Sequence, residues 1–178
     1  MESDREIGKK RVDEQAVYAE IGRYVVCFQA LENELVLICW LCWDPPNGPE
    51  GRRDLADLSF SRLVGMTSER VHELLCRKRL EDTEFRQRWR GNFDVTMDCC
   101  RSVARERNAI LHSTYIHIEG GDELMGIVRS EMRRDPEGSG VTFDQEWLGP
   151  TSFEEPLRRL VETYLAVCHC KAQLLHWA

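Results

Sequence analysis

The sequence lacks the broad positive charge of proteins that coat nucleic acids. Its 178 residues carry a formal net charge of −7, and the pI is near 5.3. Binding through an extended basic surface depends on neutralising many phosphates, so this composition argues against that mode of binding. A nucleic-acid partner would have to be bound in a local basic groove.

The chain also has little that would place it in a membrane. It begins Met-Glu-Ser-Asp-Arg-Glu, without the apolar stretch of a signal segment. Its continuous apolar run, residues 35–43, is far shorter than a membrane span and follows polar residues. We therefore predict a cytoplasmic protein with no membrane partner, and we interpret its eight cysteines as thiols in a reducing compartment.

Internal repeats, low-complexity stretches, phosphate-binding glycine loops and recognisable Ser-His-Asp patterns are also absent from the sequence. These absences argue against repeat architectures, P-loop nucleotide binding and triad hydrolases. At this length the simplest organisation is one domain over residues 1–178, large enough to bury a core. Residues 1–11 are charged and aperiodic, and we predict a flexible lead-in there.

What the sequence does contain is apolar residues that recur every three or four positions in four long segments, as on amphipathic helices. The third segment has Phe85, Trp89 and Phe93 on one face. A Ser or Thr cap at residues 65–68 leaves a break in the second segment open. The predicted helices cover residues 12–43, 55–79, 82–112 and about 152 to near the end of the sequence.

Between the third and fourth segments the period of the pattern changes. Residues 115–118 alternate between polar and apolar, and Gly120-Gly121-Asp122 is typical of a turn. This pattern predicts a small antiparallel sheet or β-hairpin insertion over residues 114–148. The predicted fold is mainly α, an up-and-down bundle of about four long helices with the β insertion before the last one.

The third segment ends in a cluster of chemically active side chains, Arg105-Glu106-Arg107-Asn108-Ala109-Ile110-Leu111-His112-Ser113. Arginine presents a rigid fork of donors that suits phosphate oxygens, and histidine is the side chain that most readily exchanges protons near neutral pH. Arg107 lies seven residues beyond Cys100, almost directly above the apolar stripe of its own helix. A guanidinium in that position needs a carboxylate, a subunit interface or a ligand. Glu32, in the apolar stripe of the first helix, is the candidate partner.

His112 lies roughly 140° around the helix from Arg107. The two side chains therefore flank one groove only if the helix end or a second subunit brings them together. The segment from Arg107 to His112 resembles the HEPN motif, in which an arginine is followed by a polar residue and, after four to six intervening positions, by a histidine; four residues intervene here. The position of the motif, late in a long helix and before a final helix, is similar to that in HEPN bundles, and Phe28-x-x-Leu31-Glu32-x-x-Leu35 resembles their first helix.

The resemblance implies a metal-independent endoribonuclease, without cofactors, that acts as a homodimer with one Arg-His pair from each protomer facing a shared cleft. His112 would be the general acid or base, Arg107 would bind the scissile phosphate, and Asn108 would orient one of them by hydrogen bonding. The ribose 2′-hydroxyl would be the nucleophile, so RNA would be cut and DNA spared. It further implies a toxin or antiviral-defence effector with an antitoxin or other regulatory partner.

One departure weakens the assignment to a toxin-antitoxin pair. A subset of the family's toxins has a tyrosine two residues after the histidine, where a partner nucleotidyltransferase modifies it. Here that position is Thr114, and the tyrosine is Tyr115. An alternative reading gives Arg107 and Glu32 a purely structural ion pair and makes His112 a cap of the helix C-terminus. The chain would then be a non-catalytic HEPN-like dimer that binds a protein partner or nucleotide.

A basic stretch precedes the motif. We predict RNA contacts by Arg77, Lys78 and Arg105, and the arginines at 86, 88 and 90, interleaved with Phe85 and Trp89, form either a guide for RNA or a solvated helix face. Cys39-x-x-Cys42 together with Cys168-His169-Cys170 has spacing that zinc accepts, but cysteines in an apolar helix more often pack as small hydrophobes, so we predict no metal site. The histidines at 72, 117, 169 and 176 have no predicted partner, which favours surface or packing roles.

Overall fold

The structure, a computed structural model, describes residues 14–42, 55, 57–77, 83–120, 123–134, 141–149 and 151–177. Its long elements are α1 (Glu14–Cys42), α2 (Phe60–Arg77), α3 (Glu84–His112), β1 (Thr114–Gly120), β2 (Glu123–Arg134), β3 (Val141–Leu148) and α4 (Glu154–Trp177). The predicted mainly α fold, with four long helices and a small antiparallel sheet before the last, is confirmed. The predicted lead-in, residues 1–11, lies outside the described residues.

The chain divides into two compact units. One contains Met1–Arg23 and Asn108–Glu154, and the other contains Tyr24–Arg107 and Glu155–Ala178. The first is built around the three-stranded sheet, and the second is a helical bundle. The predicted single domain therefore contains two units, and the division falls within α1 and within α3.

The helical unit is held together by apolar stripes at the spacing the sequence shows. Tyr24, Leu31, Leu35 and Ile38 of α1 are fully buried. α2 is one continuous helix, so the break left open at residues 65–68 does not occur. Thr67, inside that stretch, is fully buried and donates its hydroxyl hydrogen to the Leu63 carbonyl at 2.8 Å. This bond to the preceding turn satisfies the hydroxyl without interrupting the helix.

The directions of the helices follow from successive contacts within the helical unit. Phe28 of α1 packs against Phe60 at the start of α2, with 4.6 Å between ring centroids. At the other end of both helices, Arg77 donates to the carbonyl of Cys42 at 3.2 Å. α1 and α2 therefore run in the same direction, so the predicted up-and-down order is wrong for these two helices, and the 17 residues between Cys42 and Phe60 are long enough to return the chain. α3 runs the opposite way, since Arg107 near its end lies over Phe28, which packs at the start of α2, whereas Asp94 in its first half bonds His72 towards the end of α2.

The sheet has the strand order β1-β2-β3, and both pairs are antiparallel. Directly opposed residues share a face in such a sheet, so the register assigns each side chain to one side. One face contains the cross-strand set Tyr115, Arg129 and Glu146, and the other contains Ile116, Val128 and Trp147. The register shifts between Ile118 and Glu119, near the end of β1. Ile127 and Val128 are adjacent on β2 and point to opposite sides of the sheet, because side chains alternate along a strand.

α1 is also long and apolar enough, by length and composition alone, to cross a membrane. Helices in the cores of soluble proteins and signal sequences meet the same criterion. In the structure its buried positions include Leu31, Leu35, Ile38, Cys39 and Cys42. Cytoplasmic localisation stays a prediction.

Candidate functional site

The candidate motif occupies the last turns of α3. Arg107 is half-buried, and Asn108 and His112 are exposed. Arg105, one of the predicted RNA contacts, is exposed as well. A single helix thus presents all three predicted catalytic residues, with their spacing set by helix geometry.

The end of α3 is closed by two side chains that follow the motif. The Ser113 hydroxyl donates to the carbonyl of Ala109, and the Tyr115 hydroxyl donates to the carbonyl of Ile110 at 2.6 Å. Both carbonyls belong to the last turn of the helix, where no further backbone amide follows to bond them. These bonds define where the helix ends and keep His112 in its final turn.

Arg107 lies over an aromatic ring. Its guanidinium carbon is 5.4 Å from the centroid of the Phe28 ring, within the range of a cation–π contact. Phe28 is itself buried and packs on Phe60. Glu32, the predicted supporting residue, is half-buried one helical turn beyond Phe28. Residues four apart on a helix are neighbours on its surface, so Glu32 lies next to the ring that Arg107 covers, and its role as a partner of Arg107 stays a prediction.

Glu106, between Arg105 and Arg107, has a partner that the sequence did not predict. Its carboxylate forms an ion pair with Arg159 of α4, with 2.8 Å between Nη1 and Oε1. Burial raises the pKa of the Glu106 carboxyl, against the opposing effect of Arg159. The charge alternation Arg-Glu-Arg in the sequence marks Glu106 as a helical carboxylate, but nothing in it points to Arg159, 53 residues away.

Tyr24 lies in the same unit as this ion pair and is fully buried. Burial, and then the Glu106 carboxylate, raise the pKa of the Tyr24 hydroxyl well above its ordinary value. The hydroxyl therefore stays protonated and acts as the donor to Val103. The inner side of α3 next to the motif is thus fixed by Tyr24, Glu106 and Arg159.

His112 differs from Arg107 in its surroundings. Its side chain is exposed, and in the part of the chain that the structure describes the imidazole has no hydrogen-bond or ion-pair partner. The last-turn carbonyls of Ala109 and Ile110 accept from Ser113 and Tyr115 instead. The imidazole is open to solvent and to a ligand from outside.

Tyr115 comes directly after the position where a subset of HEPN toxins has its modified tyrosine, and its hydroxyl is hydrogen-bonded in the structure. Its ring is half-buried and its hydroxyl donates to Ile110. Burial raises the pKa of the hydroxyl, with a smaller opposing effect of Arg129. This environment suits a structural tyrosine at the helix end.

The predicted RNA contacts lie in different settings. Arg77 donates to the Cys42 carbonyl and so caps the end of α1. Lys78 lies outside the described residues. Trp89 is buried and stacked on Phe93, with 5.4 Å between centroids, so it presents no ring face to a base. Phe85, by contrast, is exposed in the first turn of α3, so it does not share the buried face of Trp89 and Phe93 as the spacing predicts.

Three histidines that had no predicted partner acquire one, and for His169 it is the Gln173 side-chain amide in the same helix, at 3.1 Å. His117 accepts from or donates to the Tyr18 hydroxyl at 2.8 Å, and its Nε2 lies 3.5 Å from the Glu14 carboxylate. His72 Nε2 lies 2.9 Å from the Asp94 carboxylate. The pairs of His117 and of His72 join different elements, with partners 99 and 22 residues away, so spacing along the chain gave no signal for them.

The cysteines of the possible zinc spacing pack in the core. Cys39 and Cys42 are buried, and burial raises the pKa of the Cys42 thiol to about 12. A thiol held protonated in this way is a poor metal ligand, since zinc binds the thiolate. Among the described residues, no three or more His, Cys, Asp or Glu side chains are grouped to hold a metal.

Comparison with protein-family models, curated proteins and solved structures found no match to this chain. Family membership therefore stays a prediction based on the motif.

Proposed function

We propose that the chain is a metal-independent endoribonuclease of the HEPN type that acts as a homodimer. The observation that carries the proposal is the motif itself at the end of α3. Its asparagine and histidine are exposed, and its arginine is held over the Phe28 ring. The role as a toxin or defence effector depends on the RNA target and stays a prediction.

In the proposed reaction the ribose 2′-oxygen attacks the adjacent phosphorus and the bond to the 5′-oxygen breaks. His112 takes the proton from the 2′-hydroxyl, and a second imidazole gives one to the leaving 5′-oxygen. The products are a 2′,3′-cyclic phosphate and a 5′-hydroxyl. Without a 2′-hydroxyl the nucleophile is missing, so DNA is not a substrate.

Arg107 is suited to the phosphate. Its charge is permanent, and its planar fork matches the two non-bridging oxygens that become more negative during attack. The Phe28 ring lies on one side of the guanidinium and limits its motion. Asn108, exposed beside it, supplies an amide that hydrogen-bonds the phosphate or the imidazole.

The geometry of one helix explains why two copies are needed. Arg107 and His112 leave the helix axis about 140° apart, so both reach one phosphate only where the helix end or a second subunit brings them together, and the proposal assigns this to a second subunit. A second protomer supplies the complementary side chain. The same arrangement gives the reaction the two imidazoles it uses as base and acid.

The test uses RNA and EDTA. Purified wild type, Arg107→Ala and His112→Gln are incubated with single-stranded RNA, with the same sequence as DNA, and with RNA that has one 2′-deoxy substitution at each mapped cut. Loss of His112 is expected to lower the rate roughly 10²–10⁴-fold, as for general acid–base groups. Loss of Arg107 is expected to lower it roughly 10²–10³-fold, as for groups that stabilise a developing negative charge.

Two matched controls separate the motif from general effects. His176→Gln removes an exposed histidine from the last turn of α4, as His112→Gln does from α3. Arg101→Ala removes an exposed arginine of α3 that pairs with Asp98. Both controls are expected to cleave like wild type. Cleavage that EDTA abolishes, or that survives in His112→Gln, contradicts the mechanism. Absence of cleavage in wild type favours the non-catalytic dimer.

A further inference from the structure

The three-stranded sheet has an apolar face that its own unit does not cover. This apolar sheet face consists of Ile116 on β1, Val128 and Met132 on β2, and Phe143 and Trp147 on β3, which the register places on one side. Met132 is 63% exposed, Phe143 and Trp147 are each 62% exposed, and Ile116 is 39% exposed. Val128, in the centre, is buried beneath its neighbours. The opposite face is where Tyr115, Arg129 and Glu146 bond one another or the helix end.

The indole of Trp147 packs against the backbone of Gly126. A Cβ at Gly126 would lie 2.5 Å from Trp147 Cζ3 and 2.9 Å from Cε3, so the ring rests directly on the Gly126 backbone. Gly126 is diagonal to Trp147, whose direct partner is Val128. The strand therefore covers the ring at Cε3 and Cζ3, while most of the residue stays exposed. The glycine creates the space for this arrangement.

The central part of the face lacks charge as well as cover. Over residues 114–118, 126–132 and 142–148, the polar side chains on this side are Thr114, Ser130 and Gln145. This is unusual in a chain with 55 charged residues, 24 basic and 31 acidic. Binding to RNA phosphates requires several basic side chains, and among the described residues the register places one basic residue, Arg134, and one acidic residue, Glu119, on this side, both at its ends. The chemistry fits an apolar protein surface and not a polyanion.

The stretches outside the described residues offer no long apolar segment to cover it. The stretches outside the described residues are mostly charged or rich in glycine and proline, such as MESDREIGKKRVD at residues 1–13 and WDPPNGPEGRRD at residues 43–54. A partner with the same kind of face is available in a second copy. Two copies of an acidic chain repel each other over most of their surface, and an uncharged face is where that repulsion is weakest.

The area is what a small stable dimer requires. From the usual areas of aromatic side chains and the exposed fractions above, the face exposes roughly 400 Å² of apolar surface, at the level where exposed patches mark interaction sites. Two copies would bury roughly 800 Å² of apolar area, which matches the apolar share of a standard interface of about 1,200–2,000 Å².

We infer that the apolar sheet face is the interface through which two copies of this chain associate, with Trp147 and Phe143 as its main aromatic anchors. Thr114, at one end of the face, follows His112 by two residues, so their Cα atoms are at most about 7 Å apart. The interface therefore begins next to the exposed histidine of each copy. The inference names the association that the proposed ribonuclease requires and in that respect rests on it.

The experiment measures mass in solution against concentration, by sedimentation or light scattering, for the full chain without RNA. Wild type is expected to be a dimer, and Trp147→Ser and Phe143→Ser are each expected to weaken association at least about tenfold, as for buried aromatic anchors. Leu165→Ser is the matched control, because Leu165 is equally exposed on α4 and lies outside the face. It is expected to leave the dimer intact.

A photo-crosslinking amino acid at position Gln145, on the same face, gives a readout that does not depend on disrupting the fold. Crosslinks between residues 141–148 of one copy and the sheet of another support the inference. A monomeric wild type overturns it, as does a dimer that Leu165→Ser dissociates and Trp147→Ser does not. Single-stranded RNA that binds wild type but not Trp147→Ser, with the chain monomeric, assigns the face to RNA and also overturns it.

The two proposals fail separately. A dimer through this face that does not cleave RNA refutes the ribonuclease and leaves the interface standing. Cleavage by a dimer that forms through another surface refutes the interface and leaves the ribonuclease standing.

Discussion

The chain uses the same aromatic pair twice, in opposite surroundings. Trp89 and Phe93 lie four residues apart on α3, are 4% and 0% exposed, and stack with 5.4 Å between centroids. Phe143 and Trp147 also lie four residues apart, on β3, and both are 62% exposed. The helical unit buries its pair, and the sheet unit presents its pair to solvent.

The contrast shows that spacing determines which side chains share a face and not what lies opposite that face. Four residues advance about 400° on a helix, which returns nearly to the starting side. Four residues on a strand are also on one side, because side chains alternate with period two. In the helical unit other helices supply the opposing surface, whereas the apolar side chains of the sheet face are exposed.

The largest expected effect distinguishes the two pairs by stability. Phe93→Ala leaves a cavity in the helical core and is expected to cost about 3–5 kcal/mol of the free energy of unfolding. Phe143→Ala removes a ring that is already mostly hydrated, so in dilute monomer the expected change is within about 0.5 kcal/mol. Urea unfolding followed by far-UV circular dichroism measures both.

Protein concentration sharpens this test. If two copies associate through β3, wild type gains stability with concentration by mass action and Phe143→Ala does not. Phe93→Ala keeps the concentration dependence while it loses stability at every concentration. Equal losses for the two variants in dilute solution would show that the sheet pair is buried within one chain.

Alanine at two glycines is expected to have opposite effects. A Cβ at Gly126 meets the Trp147 ring, which must leave the strand, so Gly126→Ala is expected to cost about 1 kcal/mol, at the low end for overpacking because the ring is free to move outward. Gly65, within α2, has nothing within 4 Å of the added Cβ. Gly65→Ala is expected to stabilise by about 0.5–1 kcal/mol through helix propensity.

Urea midpoints measure both signs, and the chemical shift of the Trp147 indole N–H reports displacement of the ring. Stabilisation by both variants would mean that the ring does not rest on Gly126.

The polar side of the sheet is expected to matter less. Arg129 and Glu146 form a cross-strand ion pair at 2.5 Å. Since Glu146 is about half exposed, the pair is expected to contribute about 0.2–1 kcal/mol. A double-mutant cycle with Arg129→Met and Glu146→Gln isolates the pair, and a coupling free energy that persists at 1 M salt would contradict its assignment as a screened surface pair.

The helices and the sheet were predictable because local patterns determine them. The third predicted helix, residues 82–112, is α3 within two residues, since its apolar stripe and the change of period after His112 are both local signals. Phe85 fits that stripe by spacing and yet is exposed, because it lies in the first turn of α3. The parallel direction of α1 and α2 depends on contacts such as Cys42 with Arg77, which no local pattern contains.

The candidate site also has a part that the sequence predicted and a part that it did not. The motif from Arg107 to His112 is contiguous, so the sequence alone placed it at the end of a helix. The Phe28 ring under Arg107 and the Arg159 partner of Glu106 come from other helices. The position of Arg107 on the apolar stripe of α3 predicted that its guanidinium needs a partner. Which side chain contacts it, here the Phe28 ring, depends on how the helices pack.

The smallest expected effect extends the contrast between buried and exposed groups to two carboxylates that share Arg159. Arg159 pairs with Glu106 at 2.8 Å and with Glu155 at 3.3 Å. Burial raises the pKa of Glu106, whereas hydrogen bonds from Arg158 lower the pKa of Glu155, which is on the surface. The native state therefore binds more protons than the unfolded state at Glu106 and fewer at Glu155.

The sign of the pH dependence follows from that difference. Glu106 lowers stability as the pH rises from the ordinary glutamate pKa through its raised value, so Glu106→Gln is expected to flatten that decline. Glu155 adds stability above the ordinary pKa that is lost as the pH falls through its lowered value, so Glu155→Gln is expected to remove that loss. Thermal unfolding of both variants between pH 3 and pH 7, as roughly spans these windows, measures the two slopes. Slopes that change in the same direction would show that Arg159, and not burial, dominates the titration of Glu106.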